Sequence, residues 1–419
     1  DAQAQSRTVT LAQVERSAME QQPQMLVARA ATSTAEAQAE QARAPLLPQL
    51  AGSASYTRRT GNPVPGAFPG VAATSSQGWS LWSSYDAWSF GVSGTQVIYD
   101  FGQSYERYHA ASTNAEAIRI AERTTRLQLL SSVRRTYFNA RATKELVDVA
   151  RETLNAQNRH LEQVQAFVRV GTQPPIALAQ QQASLANARV QFINAQNNYE
   201  TAKAQLNQAA GIPAGTDYDV ADDETMPIED EDQPLEILVA KALAARPEIA
   251  TLLKQRDAQE ETVSAAKGGY GPTLSAAAGA TEQGTTVGGL VPNWTAGFLL
   301  NWAFYQGGLT KGQVRQAEAG VQSIDAQRRL WELQVRLDVD SARLTIRAAK
   351  ATIGAAQDSL ASAREQLRLA EQRYATGVGS IIELTDAQVV YTSSAAQVVQ
   401  ARYGLASARA QLLAALGRT

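Results

Sequence analysis

The sequence predicts a mainly α-helical chain with a two-fold internal repeat, in which each repeat also carries one β-hairpin. Three observations lead to this fold class. Long segments have apolar residues at alternating spacings of three and four, which is typical of coiled-coil helices. The sequence patterns of the first half of the chain recur in the same order in the second half. Two short regions have apolar residues at every second position, which is typical of strands.

Composition excludes several classes of protein. The chain has 419 residues, of which 44% are hydrophobic, and a formal net charge of -2. It therefore has enough apolar residues for a core and no basic excess that would favour a nucleic-acid partner. No run approaches 18 consecutive apolar residues, so we expect no transmembrane helix. The absence of cysteine excludes disulfides and thiolate chemistry within this sequence. The chain begins at Asp1 without a signal peptide, as a processed secreted protein would.

The clearest helical pattern surrounds Gly377. Residues that are apolar except for Ser394 step by three and four on both sides of it, which predicts two antiparallel helices joined by a turn at 377–380. Glycine allows the backbone such a reversal. The upstream positions are Ile353, Ala356, Leu360, Ala363, Leu367, Ala370 and Tyr374, and the downstream ones are Tyr391, Ser394, Val398, Ala401, Leu405, Ala408, Leu412 and Ala415.

The same hairpin occurs in the first half of the chain, with Gly171 in the place of Gly377. The region before it also has a counterpart, at a slightly larger offset, so that Pro23 corresponds to Pro247. A Gly/Pro/Ser-rich loop in the first copy accounts for the change of offset. Each copy therefore predicts a long helix of roughly 100 Å before its turn. Two shorter helices in each copy, at 9–45 and 176–210 and at 235–267 and 381–416, would match its length if stacked end to end.

Strands are predicted at about 50–59, 84–98, 273–283 and 293–304, and their length is that needed to cross a bilayer in a tilted barrel. Four strands are too few to close a membrane barrel, so about 12 strands from three chains are expected to share one. A small soluble sheet beside a helical bundle is the alternative. The positions of five of the six tryptophans, within the two predicted hairpins, favour the membrane barrel over the soluble sheet. They are Trp79, Trp82, Trp88, Trp294 and Trp302, which are predicted to lie at the membrane interfaces.

In combination, these features resemble the TolC-like outer membrane efflux proteins over essentially the whole chain. The resemblance rests on the repeat and on several short motifs. These are Ala-Leu-Ala-Ala-Arg-Pro-Glu-Ile at 242–249, Pro48-Gln49-Leu50, Pro272-Thr273-Leu274, Arg373-Tyr374-x-x-Gly377 and Leu384-x-x-Ala387-Gln388.

The resemblance implies a homotrimer with a 12-stranded β-barrel in the outer membrane of a Gram-negative-type cell and a long α-helical barrel in the periplasm. It implies a passive exit duct of a tripartite efflux or type I secretion system, gated at its periplasmic tip. The expected partners are outer membrane lipid, a periplasmic adaptor protein and an inner-membrane pump, reached directly or through the adaptor. The predicted regions are periplasmic helices at 1–48 and 235–272, barrel hairpins at 49–101 and 273–306, periplasmic helical hairpins at 102–211 and 307–419, and an acidic linker at 212–234.

The linker is predicted to be a solvated connector, because 217–232 carries nine acidic residues without the spacing of a calcium loop.

Glu383 and Asp386 are three residues apart just after the second turn, on one helix face. The resemblance implies that acids at these positions line a periplasmic constriction, and that Tyr374 belongs to the gate. A solvated helix face is the alternative interpretation. The family's gate arginine is replaced here by Gly379, and an acid expected in the first copy is Ala177.

The two turns are predicted to dock onto the adaptor's helical hairpin. Turn geometry without a partner is the alternative. The residues concerned are Val170, Gly171 and Thr172 in the first copy and Gly377, Val378, Gly379 and Ser380 in the second.

No catalytic or cofactor motif is recognisable, and the protein is predicted not to be an enzyme. The sequence has no phosphate-binding glycine loop, and its two histidines, His109 and His160, have no recognisable metal or triad partner nearby. We therefore expect no cofactor, metal or nucleic acid. A periplasmic structural or adaptor-like coiled coil remains the second hypothesis.

Overall fold

The computed structural model describes residues 7–60, 84–213, 215–216, 218–222, 227–229 and 231–418. The first repeat comprises β1 (Arg7–Val9), α1 (Leu11–Gln21), α2 (Pro23–Arg43), β2 (Gln49–Thr60), β3 (Ser84–Tyr99), α3 (Gln103–Arg169) and α4 (Pro175–Ala210). A short strand, β4 (Tyr218–Val220), follows. The second repeat comprises α5 (Leu235–Ala245), α6 (Pro247–Gly268), β5 (Thr273–Gly284), β6 (Val291–Asn301), α7 (Leu309–Ala375) and α8 (Ile381–Ala415).

The predicted two-fold repeat is confirmed element by element. Helices α3 and α7 are both 67 residues long, and their first residues are separated by the same offset as Gly171 and Gly377. Helices α1 and α5 are both 11 residues long, and their first residues are separated by the same offset as Pro23 and Pro247. The predicted fold class, mainly helical with four long strands per chain, is therefore correct.

The single helices predicted at 9–45 and 235–267 are wrong, because each is broken before its proline. Gln22 has ψ 122° and Arg246 has ψ 123°, both extended rather than helical. Proline Cδ clashes with a helical conformation at the preceding residue, so the break lies one residue before Pro23 and Pro247. The same rule acts at both places and produces the same pair of short helices.

One compact unit of the chain comprises the described residues of 33–117 and 253–326 and contains an antiparallel sheet in the order β2-β3-β5-β6. Its first three strands agree with the prediction to within a residue or two. The fourth was predicted at 293–304, but β6 ends at Asn301. Asn301 pairs with Thr273, the first residue of β5, so β5 offers no partner to residues after 301. All eleven residues of β6 are exposed.

The other unit comprises the described residues of 1–32, 118–252 and 327–419. Its largest core cluster joins α1, α3, α4, β4 and α8 through buried side chains such as Val14, Tyr137, Leu206, Val220 and Tyr403. A second cluster joins α5, α7 and α8, and a third lies at the two helical turns. The apolar positions predicted on both sides of Gly377 are all buried or half-buried. No helix in the described part of the chain has the length and hydropathy needed to cross a membrane.

The prediction of a solvated linker is wrong for several of its described residues. Strand β4 pairs in parallel with β1, and the side chains of Tyr218 and Val220 are buried. Glu231 is only 6% exposed and forms ion pairs with Arg409 and Lys350. The acids are held because α3, α7 and α8 present basic side chains to them, an arrangement that the linker sequence alone does not contain.

Candidate functional site: the two helical turns

The turn after α3 and the turn after α7 have the same backbone geometry. Gly171 and Gly377 have φ of +80° and +79°, in the left-handed region that glycine adopts without strain. Gly171 N–H donates to the Val168 carbonyl, and Thr172 N–H donates to the Phe167 carbonyl. The second turn repeats both bonds at the equivalent positions. This is the Schellman ending of a helix, so each glycine stops its helix as well as reversing the chain.

The second turn starts its next helix with a polar cap. The Ser380 hydroxyl accepts a hydrogen bond from Glu383 N–H at 3.1 Å, as an N-cap serine does. The Glu383 carboxylate lies in the first helical turn, where the helix dipole favours negative charge. It also forms an ion pair with Arg373 of α7, with Nε and Oε1 3.0 Å apart. The acid is therefore held by both arms of the hairpin.

The motif that contains Arg373 does not predict its ion pair with Glu383, although the sequence carries a signal for that pair. A hairpin that reverses at 377–380 brings residues 373 and 383 opposite each other, because they are about equally distant from the turn. An arginine and a glutamate at those positions predict an ion pair between α7 and α8.

Asp386 lies on the exposed side of α8, close to Glu383. Its carboxylate has no hydrogen bond or ion pair within the described residues. Leu384 and Ala387 of the same helical segment are buried in the cluster at the two turns. The structure thus brings the two predicted gate acids together on one solvent-facing surface. Their role in a constriction remains a prediction.

Tyr374, the third predicted gate residue, does not share that surface. Its side chain is 2% exposed and packs with Val164, Ala177 and Leu384. Its ring meets Phe167 edge-on, with centroids 6.0 Å apart. Its hydroxyl is buried without a hydrogen-bond partner among the described residues, and burial raises the pKa of the Tyr374 phenol. Tyr374 thus connects the two turns by apolar packing.

The predicted docking residues occupy the outer surface of both turns. Val170 and Val378 are 72% and 73% exposed. Thr172 and Ser380 are exposed beside them, and Gly379 is half-buried against the Arg373 backbone. The first helical turn after each reversal adds an exposed isoleucine, Ile176 and Ile382. Each turn therefore presents a small apolar surface to solvent.

The predicted interface tryptophans lie in or next to the sheet where they are described. Trp88 of β3 is half-buried against Tyr56, with ring centroids 4.6 Å apart. Trp294 is 81% exposed on β6, and Trp302 follows the end of that strand. Trp79 and Trp82 lie outside the described residues.

No group of three or more His, Asp or Glu side chains in the described part of the chain could hold a metal ion.

Comparison with known proteins gives one consistent result. Residues 14–212 and 238–418 match the family described as "Outer membrane efflux protein". The sequence is 24% identical to "Outer membrane protein TolC" of Escherichia coli K12, over 98% of this chain and 83% of that protein.

Solved structures of other outer membrane proteins share the fold. The Campylobacter jejuni CmeC outer membrane channel superimposes with a TM-score of 0.83 at 19% identity, covering 97% of this chain and 85% of that one. The outer membrane protein VceC of Vibrio cholerae gives 0.81 at 18% identity, covering 97% and 96%.

Proposed function

The chain belongs to the outer membrane efflux protein family, and we propose that it forms the passive, trimeric exit duct of a tripartite efflux or type I secretion machine. As a family member it is an efflux channel of the outer membrane that extends into the periplasm. Its relatives are channels rather than enzymes. The trimeric assembly, the gate beside the second turn, and the adaptor and pump as partners are parts of this proposal.

The observation that carries the proposal is the open four-stranded sheet. Its edge strands, β2 and β6, each have one side without a partner strand in the described part of the chain. In a bilayer every unpaired backbone group costs several kcal/mol, so both edges must pair. Pairing β6 of one copy with β2 of the next closes a barrel of 12 strands from three copies. A barrel of that size leaves a lumen, whereas eight strands are filled by their own side chains.

The gate in this proposal consists of the exposed acids beside the second turn. Three-fold symmetry would bring Glu383 and Asp386 of three copies into a ring of six carboxylates. Like charges a few ångströms apart repel by roughly 1 to 4 kcal/mol per pair. The ring therefore attracts cations, while Arg373 partly neutralises it from α7. Tyr374 supports the ring from behind through its packing against Leu384.

The partners in this proposal are a periplasmic adaptor protein and an inner-membrane pump, with the adaptor bound at the two turns. The exposed valine and isoleucine of each turn support this assignment, because they offer apolar contacts at the end of a helical hairpin. The pump supplies the energy for export, and the duct itself remains passive.

The experiment measures mass in mild detergent and single-channel conductance in a planar bilayer. We expect a mass of three chains and a cation-selective channel. Glu383→Ala combined with Asp386→Ala should weaken both the cation preference and the block by multivalent cations. A monomer that stays dispersed without detergent and does not conduct would favour the adaptor-like coiled coil. Unchanged selectivity in an assembled trimer would assign the two acids to a solvated outer face.

A further inference from the structure

A cavity of about 720 Å³ lies between α3, α7, the end of α8 and the junction of α5 with α6. All of its walls belong to one compact unit of the chain, so a single copy forms it. Sites for small molecules in proteins have volumes of roughly 300 to 1,000 Å³. The cavity is therefore large enough to hold a small organic molecule.

The two repeats contribute equivalent positions to the cavity wall, with different side chains. Asp338 and Ser341 of α7 correspond to Ser132 and Arg135 of α3, at the offset of the two turn glycines, and all four line the cavity. Each of the two charged residues thus has a serine as its counterpart in the other repeat. The charges of the cavity therefore do not follow from the repeat.

One pair of charges in the cavity is neutralised within the chain. The Arg246 guanidinium is buried and forms an ion pair with Asp338, with Nη2 and Oδ2 2.9 Å apart. Arg246 also donates to the Ala415 carbonyl, and Asp338 accepts a second hydrogen bond from Gln334. Because these groups bind one another, a ligand would meet the other charges of the cavity.

Those other charges are one acid and one base without partners in the described part of the chain. One carboxylate oxygen of Glu248, Oε2, is buried without a hydrogen-bond donor there. Arg135 is exposed and forms no ion pair or hydrogen bond with the described residues. Both side chains line the same cavity, yet no ion pair joins them. A buried acceptor without a donor is unfavourable, so a ligand that donates to Glu248 is favoured.

The cavity wall also has an apolar part. Trp331 is 38% exposed and Leu337 is 61% exposed, and Leu127 is half-buried. The indole ring of a tryptophan offers a flat apolar surface whose face also attracts cations. The wall thus combines apolar contacts with the Glu248 carboxylate and the Arg135 guanidinium.

We propose that this cavity is a binding site for a small zwitterion with an apolar body. Its protonated amine donates to Glu248, its carboxylate accepts from Arg135, and its body packs on Trp331. A guanidinium can bind a carboxylate through two parallel hydrogen bonds, so the anionic group is assigned to Arg135. A cation or an anion alone would satisfy one of the two side chains. Since a single copy forms the site, the inference does not depend on the proposed trimer or its partners.

Three dansylated probes that differ by one charged group test the proposal. The first is lysine dansylated on its side-chain amine, which keeps its α-amine and α-carboxylate. Dansylcadaverine lacks the carboxylate, and dansyl-aminohexanoate lacks the amine. Dansyl fluorescence rises in apolar surroundings, so titration in mild detergent gives a Kd for each probe after the signal from detergent alone is subtracted. We expect the dansylated lysine to bind at least tenfold more tightly than either of the other probes.

Variants of the two charged residues assign each end of the zwitterion. Glu248→Gln should weaken binding of the dansylated lysine and of dansylcadaverine at least tenfold and leave dansyl-aminohexanoate unchanged. Arg135→Gln should weaken binding of the dansylated lysine and of dansyl-aminohexanoate and leave dansylcadaverine unchanged. Glu152→Gln is the matched control and should change no Kd, because Glu152 is exposed on α3 outside the cavity.

Ser341→Trp tests the cavity without altering either charge, since it fills the space from α7 and should weaken all three probes at least tenfold. Melting temperature and mass in detergent check that each variant is folded. The site would be overturned if the dansylated lysine bound no more tightly than both other probes, or bound Glu248→Gln or Ser341→Trp as tightly as the natural protein. That result would leave the proposed duct intact, whereas a protein that binds the zwitterion but does not conduct would overturn the duct alone.

Discussion

The two helical turns share one backbone and differ in side-chain chemistry. Arg373 and Glu383 form an ion pair across the second turn. The corresponding residues of the first turn are Phe167 and Ala177, which pack in the apolar cluster around Tyr374. The two turns therefore have the same backbone reversal but different side chains. The first turn contributes apolar contacts to the cluster around Tyr374, and the second contributes an ion pair.

The junctions between the short helices differ in the same way. At the first break, Gln22 donates to the carbonyls of Gln208 and Ala209 at the end of α4. At the second, Arg246 donates to the Ala415 carbonyl and also pairs with Asp338. Asp338 corresponds to Ser132 of the first repeat. The first junction is thus capped by a neutral side chain, and the second by a charged side chain that binds both a carbonyl and a carboxylate.

The linker is held by equivalent lysines of the two repeats. Lys144 of α3 binds Asp219, and Lys350, its counterpart in α7, binds Glu231 and Asp232. The carboxylate of the second site is more deeply buried and also binds Arg409, whereas that of the first site accepts a hydrogen bond from Tyr199. Both repeats therefore bind the linker acids, with different second partners.

The largest expected effect comes from the turn glycines. A Cβ atom at Gly171 or Gly377 would meet no atom of the described residues within 4 Å, so replacement adds only about 1 kcal/mol of left-handed strain. If the proposed docking is right, leucine at either position should abolish export while the trimer still forms, because its bulk would block the adaptor. Export of a reporter substrate and mass in detergent are the measurements.

Asparagine is the matched control at both glycines, since it tolerates the same backbone conformation with a smaller side chain. It should retain more export than leucine. If export survives leucine at both positions, the turns have no docking role.

The second effect concerns the two junctions. Arg246→Ala removes the hydrogen bond to the Ala415 carbonyl and the ion pair with Asp338, which keeps only its hydrogen bond from Gln334. We expect this to cost about 3 kcal/mol. Gln22→Ala should cost about 1 kcal/mol, because a neutral cap is lost. Thermal unfolding in detergent compares them. Equal losses of stability would mean that the added charge contributes nothing.

The third effect is a dependence of stability on pH. Burial alone would raise the pKa of Glu231, but hydrogen bonds from Arg409 and Lys350 outweigh it and lower the pKa from 4.5 to about 2. Its contribution is therefore present above pH 4.5 and is lost as the pH falls towards 2, by up to about 3 kcal/mol. The melting temperature should fall across this window in the natural protein.

Glu231→Gln should flatten that fall in melting temperature. Asp222→Asn is the control from the other end of the linker. Arg141 lowers the pKa of Asp222 as well, but this carboxylate is half exposed, so its variant should change the profile less. A profile of Glu231→Gln identical to that of the natural protein would show that Glu231 contributes no such stability.

The smallest effect concerns Tyr374. Its buried hydroxyl has no partner in the described part of the chain, so Tyr374→Phe should leave stability unchanged or raise it by up to about 1 kcal/mol. The matched variant Phe167→Ala removes the half-buried ring that Tyr374 packs against and should destabilise the turns by about 1 to 2 kcal/mol. A clear loss of stability in Tyr374→Phe would reveal a hydrogen bond that forms only between copies.

The sequence by itself determined the repeat, the kind of each long element and the positions of both turns. These features depend on local rules that leave periodic traces: spacing of three and four for helices, alternation for strands, and glycine where φ is positive. Pro23 and Pro247 also mark the breaks between the short helices. The single helices predicted at 9–45 and 235–267 are wrong because each proline forces the residue before it out of the helical conformation.

Only the tertiary structure decided which side chains meet. The pairing of β1 with β4 and the burial of Glu231 against Arg409 join residues from different elements of the chain, and no local period records them. The amino-acid composition of the linker is the same whether its acidic side chains are solvated or bound by basic side chains. Their environment is set by Lys144, Lys350 and Arg409, which reach them only after the helices have packed.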